Sequence, residues 1–147
     1  IKAEDPSRAC QYEQARQKEH TDIFCPMYYD YNGMEKYGQR TDATKPLIQC
    51  EYAHAMGNSQ GGFKEIGFDP LNPNLLGGFI WDFVDQSCRW KGKDGVMIYA
   101  YGGDFNRFDA SDNNFCDNGL ISPDRDPNPH MYEVGHFYQN IWPTPAD

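Results

Sequence analysis

Runs of apolar residues on successive positions are the feature that most limits how this chain can fold. They occur within Thr21–Tyr29, Lys45–Glu51 and Gly78–Val84. A strand with one wet face alternates apolar and polar residues, whereas a parallel strand that is buried on both faces carries consecutive apolar residues. Together with a shorter strand predicted at Ala9–Glu13, the spacing indicates βα units in a parallel sheet, an α/β architecture that includes the α/β barrel.

The segments between these strands differ in how readily they can form connecting helices. Gly33–Gly38 is predicted to be a short helix, and Tyr52–Gly62 is small and glycine-rich, as a loop over a strand end would be. Residues 63–76 stand where a helix is expected, but glycine and proline interrupt them. Residues 85–129 are rich in Gly, Asp, Asn and Pro and are predicted to be loop. Glu133–Trp142 is predicted to form a final helix that a proline opens.

The negative net charge limits which kinds of molecule this chain can bind by electrostatic attraction. Thirteen Lys and Arg against 22 Asp and Glu give a formal charge of −9, which excludes a nucleic acid or an anionic membrane as an electrostatic partner. The apolar runs are far shorter than the roughly 20 residues of a membrane-spanning helix. No signal-peptide pattern is visible. The sequence therefore favours a small-molecule substrate over either polyanionic surface.

Aliphatic residues are scarce for a self-contained core. Only 25 of the 147 residues are Leu, Ile, Val or Phe, whereas aromatic residues make up 15% of the chain. Such a composition with a high net charge is typical of disordered chains, but aromatic side chains bury large apolar areas. We therefore expect an aromatic-rich globular piece that is short of aliphatic core for a free-standing domain.

The five cysteines indicate a reducing compartment. Their number is odd, and no Cys-x-x-Cys pair occurs, which argues against a disulfide framework and against a zinc ribbon. Two of them lie in apolar runs, where a free cysteine acts as a small core residue. Free thiols suit a cytoplasmic location and are compatible with a periplasmic one.

Polar or aromatic side chains stand at three predicted strand ends. Tyr28, Glu51 and Trp81 each come at the end of an apolar run. In an α/β barrel, function is placed at the carboxyl ends of the strands. A carboxylate at the tip of a buried strand is costly to desolvate unless it is used or paired. From position alone, Glu51 could equally pair with a neighbouring arginine, and Trp81 could be a core aromatic.

Two other chemistries are disfavoured by their sequence context. Glu51 and His54 have the Glu-x-x-His spacing of di-iron helix bundles, but such a site needs two copies on long helices. Ser59 stands in a Gly-x-Ser-x-Gly pattern. The nucleophile elbow of that pattern requires a strand that runs straight into the serine, and here an Ala-His-Ala-Met loop intervenes.

Several motifs of this chain resemble those of glycoside hydrolase family 2, and they are most similar to its bacterial β-galactosidase branch. They follow one another in the family's order over nearly the whole chain, and the ten residues CEYAHAMGNS are highly specific. The motifs are DPSRACQYE (Asp5–Glu13), TDIFCPMY (Thr21–Tyr28), LIQCEYAHAMGNS (Leu47–Ser59), GGFIWDFVDQS (Gly77–Ser87), YGGDF (Tyr101–Phe105) and FCDNGL (Phe115–Leu120).

The resemblance implies a catalytic (β/α)8 TIM barrel, of which residues 1–147 would cover about strands five to eight and the following loops. Glu51 matches the catalytic nucleophile, and Tyr28 matches the tyrosine that hydrogen-bonds to it. His54 matches a histidine beside the site that contacts sugar hydroxyls. Trp81 matches the aromatic floor of the sugar subsite. The implied reaction is retaining hydrolysis of terminal β-D-galactosides such as lactose.

The resemblance also implies metal ions and assembly. Phe115, through its backbone carbonyl, and Asn118 match ligands of a sodium ion near the sugar 6-hydroxyl. Ligands of a magnesium ion would lie outside this chain. The parent protein is expected to be a homo-oligomer that binds a β-galactoside, without nucleic acid or membrane.

This chain departs from the family pattern in one respect that bears on catalysis. The general acid/base Glu of the family lies upstream of the Asp5–Glu13 motif and is therefore not among these residues. We expect a piece of a larger multidomain hydrolase, inactive by itself. A non-catalytic carbohydrate-binding or complementing fragment remains an alternative, as do the family's β-glucuronidase and β-mannosidase activities.

Overall fold

The computed structural model describes residues 1–66, 72–143 and 145 of the chain. Contacts divide the chain into two compact units: unit 1 comprises Ile1–Ala53 and Lys64–Trp81, and unit 2 comprises His54–Phe63 and Asp82–Asp147. In chain order the elements are a 3-10 helix Glu13–Ala15, α1 Tyr31–Gly38, β1 Leu47–Tyr52, α2 Phe63–Ile66, β2 Leu75–Ile80, β3 Cys88–Lys91, β4 Met97–Ala100, a 3-10 helix Gly102–Asp104 and α3 Pro129–Phe137.

Strand β1 is the centre of unit 1 and has a parallel neighbour on each side. It pairs with β2 on one edge, where Leu47 lies opposite Leu75. On the other edge, parallel bridges join Phe24 to Leu47 and Met27 to Glu51. This arrangement agrees with the parallel sheet predicted from the consecutive apolar residues, because β1 has a parallel neighbour on each edge.

A small apolar cluster holds helix α1 against this sheet. Its buried members are Phe24, Met34, Tyr37, Leu47 and Leu75. The helix was predicted at Gly33–Gly38 and is confirmed, but it begins at Tyr31. Asp30 caps it by accepting a hydrogen bond from the Gly33 N–H at 2.9 Å, which satisfies one of the free N–H groups of the first turn.

Two of the predicted strands of unit 1 differ from the observed structure. The prediction of a strand at Ala9–Glu13 is wrong: Cys10 exchanges hydrogen bonds with Asp22, and the chain then enters the 3-10 helix. Thr21–Tyr29 forms only isolated bridges to β1. Pro26 has no N–H to donate, so a continuous ladder cannot form there.

Unit 2 contains an antiparallel hairpin where the sequence predicted loop. Strands β3 and β4 pair from Cys88 opposite Ala100 to Lys91 opposite Met97. The prediction of loop throughout residues 85–129 is therefore wrong. All four residues of β3 are exposed, so no burial pattern marks the strand. The local signal was Asp94-Gly95, a turn pair in which Gly95 has φ +84°.

Other element boundaries also moved. Strand β2 begins at Leu75 and ends at Ile80, earlier than the predicted Gly78–Val84. Helix α3 begins at Pro129 and ends at Phe137, also earlier than predicted. Helix α2 has four residues, and the rest of the interrupted stretch, residues 67–71, lies outside the described residues. No helix in the described ranges has the length and apolarity that crossing a membrane requires.

Candidate active site

The carboxyl end of β1 brings Tyr28, Glu51 and Trp81 together. The Tyr28 N–H donates to the Glu51 carbonyl at 2.9 Å, and the Trp81 N–H donates to the Tyr52 carbonyl at 3.0 Å. Successive carbonyls of β1 thus hold the neighbouring chain on each side. The three residues predicted to end strands thus lie beside one another at the carboxyl end of the sheet, all within unit 1.

The backbone at Tyr28 is in an unusual conformation. Its φ is +46°, a left-handed value that costs a bulky residue about 1–3 kcal/mol and is concentrated at functional sites. Hydrogen bonds on both sides hold it there: one from its own N–H to Glu51, and one from the Tyr29 N–H to the Gln49 side-chain oxygen at 2.8 Å. The Tyr28 side chain is 42% exposed, so the strained turn presents the phenol at the rim.

Gln49 is a structural member of this site that sequence reasoning missed. Its side chain is fully buried in β1. The amide oxygen holds the Tyr29 N–H, and the amide nitrogen contacts the Met34 sulfur at 2.9 Å. The available signal was one polar residue inside an apolar strand, because a buried amide has to find partners.

The cysteines beside Glu51 remain protonated at neutral pH. Cys50 precedes Glu51, and its thiol hydrogen-bonds to that of Cys25 on the neighbouring segment. Burial, followed by the proximity of Cys25, raises the pKa of Cys50 to about 11. Burial also raises the pKa of Cys25. All five cysteines are free thiols. Since the thiolate is the reactive form, neither strand cysteine is suited to act as a nucleophile, and the carboxylate of Glu51 is the candidate.

His54 and Phe115 meet in unit 2. Their rings lie 5.1 Å apart at an interplanar angle of 38°. An open cavity of about 580 Å³ lies beside them, lined by Met56 and residues 111–115. The Ser59 hydroxyl bridges the carbonyls of His54 and Met56, at 2.8 Å each. A serine engaged in holding its own loop is a poor candidate for the nucleophile of the Gly-x-Ser-x-Gly pattern.

Asn118 has a fully buried side chain whose amide oxygen accepts no hydrogen bond from the described residues. Its backbone N–H and its side-chain Nδ2 both donate to the Gln86 Oε1, at 3.2 and 3.3 Å. Its Oδ1 has no hydrogen-bond partner among the described residues. A buried acceptor without a partner costs about 1–3 kcal/mol, and hard cations prefer amide, carbonyl and carboxylate oxygens. Asn118 therefore fits the role of a cation ligand.

Asp82 is, after Glu51, a second half-buried carboxyl group, and sequence reasoning did not single it out. Its N–H donates to the Asn118 carbonyl at 3.0 Å, and its Oδ2 accepts from the Gln86 Nε2 at 3.1 Å. Its Oδ1 has no partner within the part of the chain that the structure describes. Burial, and then the nearby Asp85 carboxylate, raise the pKa of Asp82.

Asp85 fixes the loop that carries Asn118. Its Oδ1 accepts from the Gly119 N–H at 2.7 Å, and its Oδ2 accepts from Asn128 at 3.2 Å. Gly119 packs so closely that a Cβ there would lie 2.2 Å from the Asp85 backbone nitrogen. The signal in the sequence was the polar run Asp85-Gln86-Ser87, directly after the apolar run Gly78–Val84. Its partners are more than thirty residues away, so the sequence did not reveal them.

Within residues 1–66, 72–143 and 145, no three side chains of His, Cys, Asp or Glu lie close enough together to bind a metal ion. Phe115 and Asn118 would bind a cation through a backbone carbonyl and a side-chain amide oxygen, which are not carboxylates, thiols or imidazoles. The Phe115 N–H donates to the Asp112 carbonyl at 3.1 Å. Two such ligands would be neutral oxygens, which suit a hard cation more than zinc.

The chain is similar to known proteins over nearly its whole length. The family model described as glycosyl hydrolases family 2, TIM barrel domain, matches residues 1–142. "Beta-galactosidase" of Enterobacter cloacae is 44% identical over 91% of this chain and 14% of its own length. "Beta-galactosidase 2" of the same organism is 45% identical over 95% of this chain and 15% of its own length. "Beta-galactosidase" of Klebsiella pneumoniae is 43% identical over 95% of this chain.

The chain thus spans about a seventh of the length of these curated relatives. A solved structure, "Faecalibacterium prausnitzii Beta-glucuronidase", aligns with a TM-score of 0.48 and 17% identity, covering 90% of this chain and 24% of that chain. A TM-score of that size does not bear on the choice between the two activities.

Proposed function

The chain belongs to glycosyl hydrolase family 2, as part of its TIM barrel domain, and from this premise we propose that the complete protein is a retaining β-galactosidase. Its substrates would be terminal β-D-galactosides such as lactose. The observation that carries the proposal is the convergence of Tyr28, Glu51 and Trp81 at the carboxyl end of β1. This is the edge at which α/β barrels build their active sites. In that barrel, residues 1–147 would supply about strands five to eight.

Glu51 would act as the nucleophile. Retaining glycosidases place two carboxyl groups about 5–5.5 Å apart. One carboxylate oxygen of Glu51 forms a bond to the anomeric carbon while the bond to the leaving oxygen breaks, and the second carboxyl group protonates that oxygen. Water then attacks the anomeric carbon and releases Glu51. The second carboxyl group, the general acid/base, would come from a part of the protein outside residues 1–147.

Tyr28 would keep the nucleophile ionised. A phenol that donates a hydrogen bond to a carboxylate favours the charged form. The strained φ of +46° places Tyr28 directly beside the Glu51 backbone. Conformational strain at that position is a cost that the fold carries, and it supports a functional task for the side chain.

Trp81 and His54 would bind the sugar. An indole ring offers a flat apolar surface to the C–H face of a pyranose. The Trp81 Nε1 is buried and has no partner in the described ranges, so a sugar hydroxyl could accept its hydrogen bond. His54 would contact other hydroxyls.

A sodium ion would complete the sugar subsite, and Phe115 and Asn118 would be among its ligands. The unpartnered Asn118 Oδ1 supports this assignment. When bound, the ion would supply a positive centre that holds a sugar hydroxyl oxygen. The magnesium ion expected of the family would be bound by residues outside this chain.

The deciding experiment is Glu51→Gln in the complete protein. Removal of the nucleophile should lower turnover of a nitrophenyl β-galactoside by about 10⁴-fold or more. Covalent labelling by a 2-fluoro-galactosyl probe, followed by intact mass spectrometry, should disappear. Glu65→Gln, which changes an exposed glutamate in α2, should leave both unchanged.

Two results would contradict the proposal. An adduct that still forms in the Glu51→Gln protein would remove Glu51 from its role. Faster turnover of a β-glucuronide or a β-mannoside than of a β-galactoside would contradict the substrate class. If the complete protein hydrolyses none of the three glycosides, the non-catalytic carbohydrate-binding function is the one that remains.

A further inference from the structure

We propose that Gln86 is a positioning residue that determines which atom of the Asn118 side chain faces its ligand. The inference rests on the proposed function, in which Asn118 binds sodium through Oδ1. An asparagine amide has one acceptor and one donor end of nearly equal size. A cation is bound only if the oxygen end faces it, so the orientation of the amide decides whether the site exists.

The orientation of Gln86 is fixed at its oxygen end by a backbone donor. The Asn118 N–H donates to the Gln86 Oε1 at 3.2 Å. A backbone N–H can only donate, so the atom of Gln86 that faces it must be the oxygen. The same Oε1 lies 3.3 Å from the Asn118 side chain. The Asn118 atom on that side must therefore be the nitrogen, and Oδ1 is turned away from Gln86.

Asp82 fixes the other end of the same amide. Its Oδ2 lies 3.1 Å from the Gln86 Nε2 and accepts a hydrogen bond from it. A carboxyl oxygen at one end and a backbone N–H at the other thus agree on one orientation of Gln86. A flipped Gln86 would place a donor against a donor and an acceptor against an acceptor. The polarity set by Asp82 passes through Gln86 to Asn118.

Because Asn118 is buried, the orientation of its amide affects how tightly a cation can bind. Asn118 is 0% exposed, so water cannot compensate a flipped amide. Among residues 1–66, 72–143 and 145, the Asn118 Nδ2 donates to Gln86 alone, so without Gln86 neither orientation of the amide is favoured by a described partner. The oxygen would then face the cation in only a fraction of molecules, and the apparent affinity falls by that fraction.

The neighbouring contacts of the same loop provide a control. Ser87 donates to the Asp117 side chain at 2.5 Å. That bond joins the same two segments as Gln86 and Asn118, but it does not touch the Asn118 amide. If Gln86 merely fastened the loop, loss of the Ser87 bond would have the same kind of effect. If Gln86 orients the amide, only Gln86 variants should change cation binding.

The experiment compares variants of the complete protein at constant ionic strength, with choline replacing sodium. Two quantities are measured: the sodium concentration for half-maximal activity, and the sodium-dependent rise of the thermal unfolding midpoint. Gln86→Leu should raise the half-maximal sodium concentration at least about twofold, because an amide that nothing orients presents its oxygen in about half of the molecules, and it should reduce the sodium-dependent rise in midpoint. Asn118→Ala sets the limit of complete loss of the ligand oxygen. Ser87→Ala should leave the sodium response unchanged.

The outcomes separate the inference from the proposed function. Equal sodium responses of Gln86→Leu and Ser87→Ala would overturn the positioning role. If Gln86→Leu does not fold, Gln86→Met keeps the chain length, has no donor and offers only a weak sulfur acceptor, and it is expected to behave alike. A wild type whose unfolding does not respond to sodium would remove the inference together with the sodium site, while the galactosidase proposal is decided by Glu51→Gln alone.

Discussion

Gly119 has no room for any side chain, and its neighbours cannot move aside. A Cβ at this position would lie 2.2 Å from the Asp85 nitrogen, 2.5 Å from the Val84 carbonyl carbon and 2.8 Å from the Ile121 oxygen. All three are backbone atoms within unit 2. A clash with backbone is relieved only by displacing the chain that carries Asn118.

Gly119→Ala should therefore destabilise the protein by about 1–3 kcal/mol or more. Chemical denaturation of the complete protein, followed through a probe in this region, measures the change. Gly135→Ala is the matched control, because a Cβ in the middle of α3 meets nothing within 4 Å and alanine is favoured over glycine in a helix by about 1 kcal/mol. Equal stabilities of the two variants would contradict the close packing at Gly119.

The positions of the strand-end residues could be predicted, but their network could not. Tyr28, Glu51 and Trp81 follow apolar runs, and parallel strands end at one edge, so their proximity follows from topology. Gln86 and Asn118 meet across thirty-two residues, through two side-chain amides and one backbone N–H. No pattern of residue types encodes such a contact.

At the scale of the element, one carboxylate anchors the hairpin of β3 and β4. Asp124 accepts hydrogen bonds from Arg89 on β3, at 2.5 Å, and from the Tyr99 hydroxyl on β4. The hydrogen bond from Arg89, followed by that from Tyr99, lowers the pKa of Asp124. Its folded pKa thus lies below its unfolded value, so the stabilisation is fully present above the unfolded pKa and is lost as the pH falls through the folded pKa.

Asp124→Asn should speed hydrogen exchange of the two hairpin strands at pH 7. The difference from the wild type, after correction for intrinsic rates, should shrink as the pH falls below the ordinary carboxyl range, because the wild type then loses the same charge. Peptide-resolved exchange by mass spectrometry measures both. Asp126→Asn changes an exposed carboxylate of the same turn and should have no effect. A pH-independent difference would show that the charge of Asp124 is not what anchors the hairpin.

The elements that sequence reasoning located correctly are those with buried faces. Helix α1 and strand β1 contribute to the apolar cluster of unit 1, and burial imposes the patterns that were recognised. The hairpin presents Trp90, Met97 and Ile98 to solvent, so its sequence obeys no alternation. Its existence depends on a turn and on Asp124, whose partner strands are 25 and 35 residues away.

At the scale of the whole molecule, the 147 residues form part of a larger assembly of elements. Strand β2 leaves Leu76 60% and Phe79 63% exposed. Apolar side chains of that size, exposed on a sheet, indicate a surface that another part of the protein covers. The scarcity of aliphatic residues and the coverage of 14–15% of the curated relatives agree with this interpretation.

The chain alone is expected to show no measurable hydrolysis of o-nitrophenyl β-galactoside. The missing acid/base group accounts for about 10²–10⁴-fold, and a displacement of the reacting groups by about 1 Å costs a further 10²-fold or so. The second effect decides, because an activated leaving group needs little acid help. The measurement assays the purified chain, alone and mixed with the remainder of the protein expressed separately. Activity of the lone chain that disappears on Glu51→Gln would contradict the expectation.

The alternation of carbonyls along β1 limits how the length of this segment can vary during evolution. The carbonyl of Glu51 holds Tyr28 on one side, and the carbonyl of Tyr52 holds Trp81 on the other. Insertion or deletion of one residue within Leu47–Tyr52 would exchange these two directions and turn the Glu51 side chain to the opposite face of the sheet. Length polymorphism should therefore be absent from this strand in functional descendants, whatever substitutions accumulate around it.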